Sequence, residues 1–109
     1  MKYLLLHYLD EKAEFSPEDD RGVDAWVDEA EASGVKLTGG GLRPAGEART
    51  LRIRGGEVLV SDGPFAETKE QIAGFDVLEC AGLDEAIEIV SRHPTARVGA
   101  FELRPFWPS

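Results

Sequence analysis

Cysteine and histidine are scarce in this sequence of 109 residues, which contains one cysteine and two histidines. The cysteine, Cys80, cannot form an internal disulfide, and its place just before a predicted helix is typical of a small core residue. The histidines are far apart, and no Cys-x-x-Cys, HExxH, Walker or GxGxxG pattern is present. We therefore expect neither a metal nor a cofactor.

Positive charge is also scarce, since 12 lysines and arginines stand against 21 aspartates and glutamates, for a formal net charge of -9. Nucleic-acid binding needs a cationic surface, so DNA and RNA are not expected as direct partners. The same charge opposes binding to anionic membranes. The apolar start of the chain ends at Asp10, too early for a membrane span or a signal peptide. We expect a cytoplasmic protein.

The residues that are present predict one α+β domain over residues 1–109, with 42% hydrophobic residues to form a core. Alternating and helical hydrophobic patterns define its elements. Strands are predicted over 2–9, 35–42, 49–54, 57–61, 74–80 and 98–104, and helices after Ser16 and after Gly82. This order is typical of a ferredoxin-like split βαβ sandwich with an inserted β-hairpin.

Two helices can cover only one face of such a sheet, and the first strand is apolar on both faces, which predicts a central position for it. Phe101 and Leu103 add apolar side chains on the last strand. We expect a homodimer in which a second copy covers the helix-free face as a shared α+β barrel, with a pocket at the interface.

The two helices and one loop carry further expectations. The first helix presents Val23, Trp26, Val27 and Ala30 to the sheet, and the second presents Leu83, Ala86, Ile87 and Val90. Gly39–Gly41 suggests a bulge or a close backbone approach. A polar loop is predicted from the Asp62-Gly63-Pro64 turn to Gln71. His93 is predicted to end the second helix, where partial positive charge suits the helix dipole.

Residues 61–75, SDGPFAETKEQIAGF, resemble the signature of the DGPF branch of the YCII-related family. The similarity also includes Met1–Leu6, Gly40–Leu42, Leu83–Ala86 and Glu102–Pro105. Members of this family are similar to dimeric α+β barrels. The resemblance implies a His and Asp pair in a dimer-interface cleft, and one relative acts as a dehydrochlorinase on a chlorinated hydroquinone. Genes of the branch often neighbour extracytoplasmic-function sigma factors.

Asp10 is the counterpart of the aspartate near the end of the first strand in such members. The histidine expected on the first helix has no counterpart, because residues 19–33 contain none and Asp24 lies near its place. His7 on the first strand is either a half-buried interface residue or a general base, since imidazole exchanges protons near neutral pH. Its carboxylate partner would be Asp10 or Asp62.

The predicted polar loop within this signature, residues 62–71, contains three further candidate site residues. Asp62 either caps its own turn or presents a carboxylate to a ligand from a rigid loop. Glu67 and Lys69 either form a solvated charged face, fasten the hairpin to a partner subunit, or hold an anionic substrate.

Two function classes remain open. One is a homodimeric small-molecule-binding or accessory protein, linked to a sigma-factor system, with a pocket lined by His7, Asp10, Asp62 and Lys69. The other is a lyase-like or dehydrochlorinase-like enzyme, in which His7 accepts a proton and Asp10 orients it.

Overall fold

A computed structural model describes residues 1–108 as an α+β fold with two helices and antiparallel sheets. Its elements are β1 (Lys2–Asp10), α1 (Pro17–Ala32), β2 (Lys36–Gly41), β3 (Arg49–Arg54), β4 (Glu57–Asp62), β5 (Glu70–Glu79), α2 (Leu83–Ser91) and β6 (Ala100–Pro105). Four strands pair in the order β2-β5-β1-β6, and β3 and β4 form a separate two-stranded ribbon. The predicted α+β class is confirmed, and the topology is compatible with a ferredoxin-like fold.

Strand β1 occupies the centre of the four-stranded sheet, as its two apolar faces predict. It pairs antiparallel with both β5 and β6. Tyr3 and Leu5 on one face are buried, and Leu78 of β5 pairs directly with Tyr3 on the same face. Odd-numbered residues of β1 therefore point into the helix-covered core, because side chains alternate along a strand.

Helix α1 has the predicted boundaries because local chemistry fixes both ends. The Ser16 hydroxyl accepts from the Asp19 backbone N–H, and the Asp19 carboxylate accepts from the Ser16 N–H, so two free donors are satisfied. Gly34 closes the helix with a φ of 80°, a conformation that glycine adopts without strain. Trp26 and Ala30 are buried on the predicted face, and the Trp26 indole donates to the Ile89 carbonyl at 2.9 Å.

The prediction for α2 is only half right. Ala86 and Val90 are buried, but Leu83 and Ile87 are about half exposed, and Ile89 packs against the core instead. Leu83 lies in the first turn of the helix. Ile87 is one residue, or about 100° of rotation, from Ala86 and so points away from the contact stripe.

Two other expectations need correction. Phe101 and Leu103 pair with His7 and Leu5, so they pack under the helices and not on the helix-free face. The loop predicted to extend to Gln71 is shorter, because β5 already begins at Glu70 and pairs with Asp10. This extension contains a bulge, since His7 pairs with Gly74 but the next residue of β1 pairs with Ile72.

The ribbon contrasts with the main sheet, because all of its apolar side chains are exposed. Its two strands join at Gly55 and Gly56, whose φ angles of 58° and 82° suit a tight hairpin turn. One face carries the cross-strand pairs Leu51 with Val60 and Ile53 with Val58, all about 60% exposed. Within residues 1–108, no helix is long and apolar enough to cross a membrane.

Candidate functional site

The central strands bring His7 and Asp76 together beneath α1. Asp76 pairs directly with Leu5, and His7 is two residues further along β1, so both side chains point to the helix-covered face. The His7 Nε2 and Asp76 Oδ2 atoms are 2.7 Å apart, and the side chains are 15% and 6% exposed. The bulge in β5 lies immediately beyond this pair. The result is a short, desolvated hydrogen bond between an imidazole and a carboxylate.

The pairing fixes the proton on the imidazole. An ionised carboxylate only accepts hydrogen bonds, so Nε2 of His7 donates and Nδ1 of the neutral ring keeps its lone pair. Within residues 1–108, Nδ1 has no hydrogen-bond partner, although every fully enclosed side-chain nitrogen and oxygen there has one. Nδ1 is therefore not enclosed by protein, and it can accept a proton from a bound molecule.

The second oxygen of Asp76 faces a cation. Lys36 Nζ lies 3.4 Å from Asp76 Oδ1 and 3.5 Å from a carboxylate oxygen of Glu31 at the end of α1. The Lys36 side chain is 10% exposed, so its charge is held next to two acids with little water. Asp76 is thereby compensated on both oxygens, which permits a buried carboxylate.

The absence of a side chain at Gly39 leaves space for the Asp76 carboxylate. A Cβ built on Gly39 would overlap Asp76 Oδ1 and lie 2.5 Å from the Phe75 carbonyl oxygen. The predicted close backbone approach is therefore confirmed at this glycine, and a bulge lies nearby between Lys36 and Thr38.

His93 packs beside this pair and is 3% exposed. Its ring lies edge-on to three others, with centroid distances of 5.3 Å to His7, 4.8 Å to Trp26 and 5.1 Å to Phe101. Nδ1 accepts from the Thr95 backbone N–H at 3.1 Å. Burial, followed by the neighbouring His7 ring, lowers the pKa of His93 to about 4. The predicted role of His93 as a positive helix end is wrong, because α2 ends at Ser91 and the chain then turns inward.

A cavity of about 190 Å³ borders these groups between α1 and the edge of the sheet. His7, Asp76, Lys36 and His93 supply its polar wall. The rest of the wall is apolar or lacks side chains, with contributions from Leu9, Val23, Val27, Gly40, Gly41, Ala73, Gly74 and Phe75. This volume is below the usual range of about 300–1,000 Å³ for ligand pockets, so the cavity admits only a very small molecule.

The loop candidates gather elsewhere. Asp10, Asp62, Glu67 and Lys69 line one open depression of about 790 Å³ at the strand ends. His7 and Asp10 are three residues apart on β1, so strand alternation separates their side chains. The pairing of His7 with Asp10 or Asp62 is not formed, and Asp76 stands in their place.

Charge pairs in this depression are exposed. Lys69 Nζ lies 4.0 Å from Asp10 Oδ2, and Asp62 Oδ1 lies 3.1 Å from Arg49 Nε. Lys69 and Asp62 are 86% and 87% exposed. The turn itself is well fixed, because Gly63, with a φ of 96°, donates its N–H to the Ala48 carbonyl at 2.8 Å.

An apolar cleft of about 670 Å³ adjoins the depression, with Tyr8, Leu42, Pro44, Phe65 and Ile72 in its wall. Strand alternation places Tyr8 on the helix-free face of the sheet. Burial, and then the nearby Glu102 carboxylate, raises the pKa of Tyr8, whose hydroxyl donates to Glu102 at 3.3 Å. This cleft offers apolar area but no proton acceptor comparable with the buried imidazole.

Three residues of the buried site were absent from the sequence-based set of candidates. Asp76 shares its strand face with Gly74, Leu78 and Cys80, all of which are buried. The alternation of side chains along this strand therefore predicts that Asp76 is a buried acid. No comparable signal marks Lys36 or His93. Cys80 is 3% exposed and burial raises the pKa of its thiol, as expected for an unreactive core residue.

Comparison with known proteins assigns the family. A family model described as the YCII-related domain matches residues 1–109. The chain belongs to the YCII-related domain family. It is also similar to an uncharacterized protein of Rhizobium meliloti (strain 1021), with 39% identity over 113 aligned residues. That alignment covers 96% of this chain and 91% of the relative, so this YCII-related chain and its relative match over nearly their whole lengths.

Proposed function

We propose that this YCII-related protein is a lyase-like enzyme that removes a proton from a small molecule, with His7 as the general base. The observation that supports this most is the 2.7 Å hydrogen bond between His7 Nε2 and Asp76 Oδ2 at the wall of a small cavity. Asp76 replaces Asp10 as the residue that orients the imidazole. The missing histidine on α1 is no obstacle to this chemistry, because the base lies on β1.

The step is an ordinary elimination. Nδ1 of His7 takes the proton from a carbon of the ligand, and the electron pair of that C–H bond becomes a C=C bond. A leaving group such as chloride departs from the adjacent carbon with its bonding pair. Asp76 then stabilises the imidazolium that has formed, and the imidazolium returns its proton to water.

Solution NMR in D2O tests this proposal with a panel of β-chloroketones, whose α C–H lies next to the carbon that carries chloride, and small ketones. We expect wild-type protein to accelerate chloride loss or exchange of an acidic C–H for C–D in at least one compound. His7→Gln should lower that rate by at least about 100-fold, the usual contribution of a positioned base. Asp76→Asn should also lower it, and Asp28→Asn, an exposed carboxylate on α1, should not. An unchanged rate in His7→Gln would contradict the proposal.

We propose that the protein acts as a homodimer. Leu4, Leu6, Phe75 and Val77 share the helix-free face at the centre of the sheet, where no helix covers them. A second copy of the sheet would bury them as a shared barrel. Light scattering during gel filtration should give the dimer mass, and Leu6→Glu should give the monomer mass. A wild-type monomer at micromolar concentration would contradict this assembly.

The fixed Gly63 turn and the charges around it support ligand binding in a second candidate function, a small-molecule-binding accessory protein. The family resemblance alone implies a link to a sigma-factor system, and with it a place in the cytoplasm. In this role Asp62, Glu67 and Lys69 bind the ligand in the open depression. Lys69→Glu separates the alternatives for this loop. Loss of anion binding in a thermal-shift screen supports the ligand role, loss of the dimer supports fastening, and no change in either leaves a solvated surface.

A further inference from the structure

The cavity beneath α1 is bordered by a second histidine that the proton-abstraction step does not use. The rings of His7 and His93 are perpendicular, with centroids 5.3 Å apart, and both contribute to the cavity wall. His93 is almost fully buried, so its orientation is set by packing against Trp26 and Phe101. Two imidazoles with different hydrogen-bond partners therefore border the same small cavity.

Hydrogen bonding makes His93 a donor toward that space. Its Nδ1 lone pair already accepts from the Thr95 backbone N–H at 3.1 Å, so the proton of the neutral ring is on Nε2. Nε2 has no hydrogen-bond partner within residues 1–108, where every fully enclosed side-chain nitrogen or oxygen has one. The Nε2–H is consequently not fully enclosed, and His93 borders the cavity.

The ring also resists becoming a cation. A second proton would have to occupy Nδ1 and break its bond with Thr95, and burial opposes the charge. The lowered pKa of about 4 agrees with this geometry. A neutral imidazole N–H polarises a carbonyl oxygen without bringing a full charge into the site.

The charges that face the cavity favour an uncharged ligand. Lys36 is held by both Asp76 and Glu31, so the polar wall has no surplus cation for a carboxylate or phosphate. Val23 and Val27 and the glycines of β2 complete an apolar wall. Burying an unpaired anion there would be costly, whereas a carbonyl compound needs one hydrogen-bond donor.

We propose that this cavity binds a small neutral ketone, whose carbonyl oxygen accepts a hydrogen bond from His93 Nε2 and whose α-carbon faces His7 Nδ1. This assignment names the substrate class of the proposed function and rests on it for the proton transfer. His7 takes the α-proton, the C–H electron pair forms a C=C bond to the carbonyl carbon, and the carbonyl π electrons move to oxygen. The His93 N–H stabilises that oxyanion. The enolate then either takes the proton back or, where the β-carbon carries chloride, re-forms the carbonyl, makes the new C=C bond and expels chloride with its bonding pair.

Two substitutions separate donation to the ligand from a role in packing. His93 caps a short 3₁₀ helix, Pro94–Arg97, and His93→Asn keeps an acceptor for the Thr95 N–H there but removes the donor at Nε2. His93→Gln places an amide N–H near the former Nε2 and removes the nearby acceptor for Thr95. A ligand role predicts that Gln retains more function than Asn, and a purely structural role predicts the reverse order.

The experiment uses acetone, cyclopentanone and cyclohexanone, each labelled with carbon-13 at the carbonyl. Wild-type protein should bind at least one of them saturably with a downfield carbonyl shift. His93→Asn should weaken binding by about ten-fold and abolish the shift, which corresponds to the loss of one hydrogen bond. Methylenecyclohexane, which matches cyclohexanone in shape but lacks the oxygen, and cyclohexanecarboxylate, which carries a negative charge on the same ring, should bind more weakly. In wild-type protein the Nε2–H signal of His93 should move on ketone addition, a readout that needs no variant.

Failure of the two proposals gives different results. Deuterium exchange at the α-carbon reports His7, and the carbonyl shift reports His93. Saturable binding with the shift but without exchange would overturn proton abstraction alone. Absence of binding for all three ketones, an unchanged shift in His93→Asn, or equal binding of the carboxylate would overturn the ketone assignment.

Discussion

The buried site and the open depression both combine acids with a lysine, but they differ in how much water surrounds those charges. In the buried site, Asp76 contacts His7 at 2.7 Å and Lys36 at 3.4 Å, and these three side chains are at most 15% exposed. In the depression, Lys69 is 4.0 Å from Asp10 and 86% exposed. The same residue types therefore interact strongly in one place and weakly in the other, since water screens exposed charges.

The difference in burial also distinguishes a site suited to proton transfer from a site suited to ligand binding. A general base must hold its proton acceptor in one orientation, which the packed imidazoles beneath α1 achieve through several fixed neighbours. Exposed lysine and glutamate side chains keep their rotamer freedom and suit recognition of a charged ligand. Matched substitutions in the two regions test whether burial accounts for this contrast.

The largest effect is expected from removing the central carboxylate. Asp76→Ala should lower the free energy of unfolding by about 3–5 kcal/mol, because it leaves the buried Lys36 with only the exposed Glu31 carboxylate and leaves His7 without its hydrogen-bond partner. The matched change in the depression, Asp62→Ala, should cost less than about 1 kcal/mol. Urea unfolding at neutral pH measures both. Equal losses in the two variants would remove the distinction between the regions.

The next effect is a pH dependence from His93, whose pKa is 6.5 when unfolded and about 4 when folded. Between these values the unfolded chain binds a proton that the folded chain does not, so stability is fully present above pH 6.5 and falls as the pH drops to 4. The complete effect is at most about 3 kcal/mol. Subtracting the unfolding curves of His93→Asn from those of wild type isolates it. A difference that is constant across this pH window would contradict the buried, neutral imidazole.

A smaller effect is expected from the glycines beside Asp76. Gly39→Ala should destabilise the fold by about 1–3 kcal/mol, because the new Cβ overlaps Asp76 Oδ1 and crowds the Phe75 carbonyl. Gly40→Ala is the matched control, since a Cβ there has no neighbour within 4 Å. Thermal unfolding compares them. Similar melting temperatures for the two variants would show that Asp76 has more room than this packing allows.

The smallest effect belongs to the exposed ion pair of the depression. Lys69→Ala should change the free energy of unfolding by less than about 0.5 kcal/mol, because the pair with Asp10 is long and solvated. The change should shrink further in high salt, which screens surface charges. A salt-independent loss of about 2 kcal/mol or more, well above the usual value for a surface pair, would instead indicate a buried contact.

Much of the fold was predictable from local patterns. Ser16 and Gly34 bound α1 as their capping chemistry predicts, and the two apolar faces of β1 predict its central position. The exposed Ile87 was not predictable in the same way, because hydrophobicity alone does not tell which side of a short helix meets the sheet. The outcome for His93 depended on the chain turning inward after α2, which its position before Pro94 does not reveal.

Local patterns in the chain define the class of each element and the buried faces of α1 and β1, because hydrophobic periodicity and capping act over a few residues. The sequence by itself also identified His7 as a candidate base. The tertiary structure alone decided that His7 meets Asp76, which is 69 residues away, and not Asp10 three residues away. That choice follows from the register of β1 against β5 and from the bulge beyond the pair, because a shift of one residue would send one of the two side chains to the opposite face of the sheet.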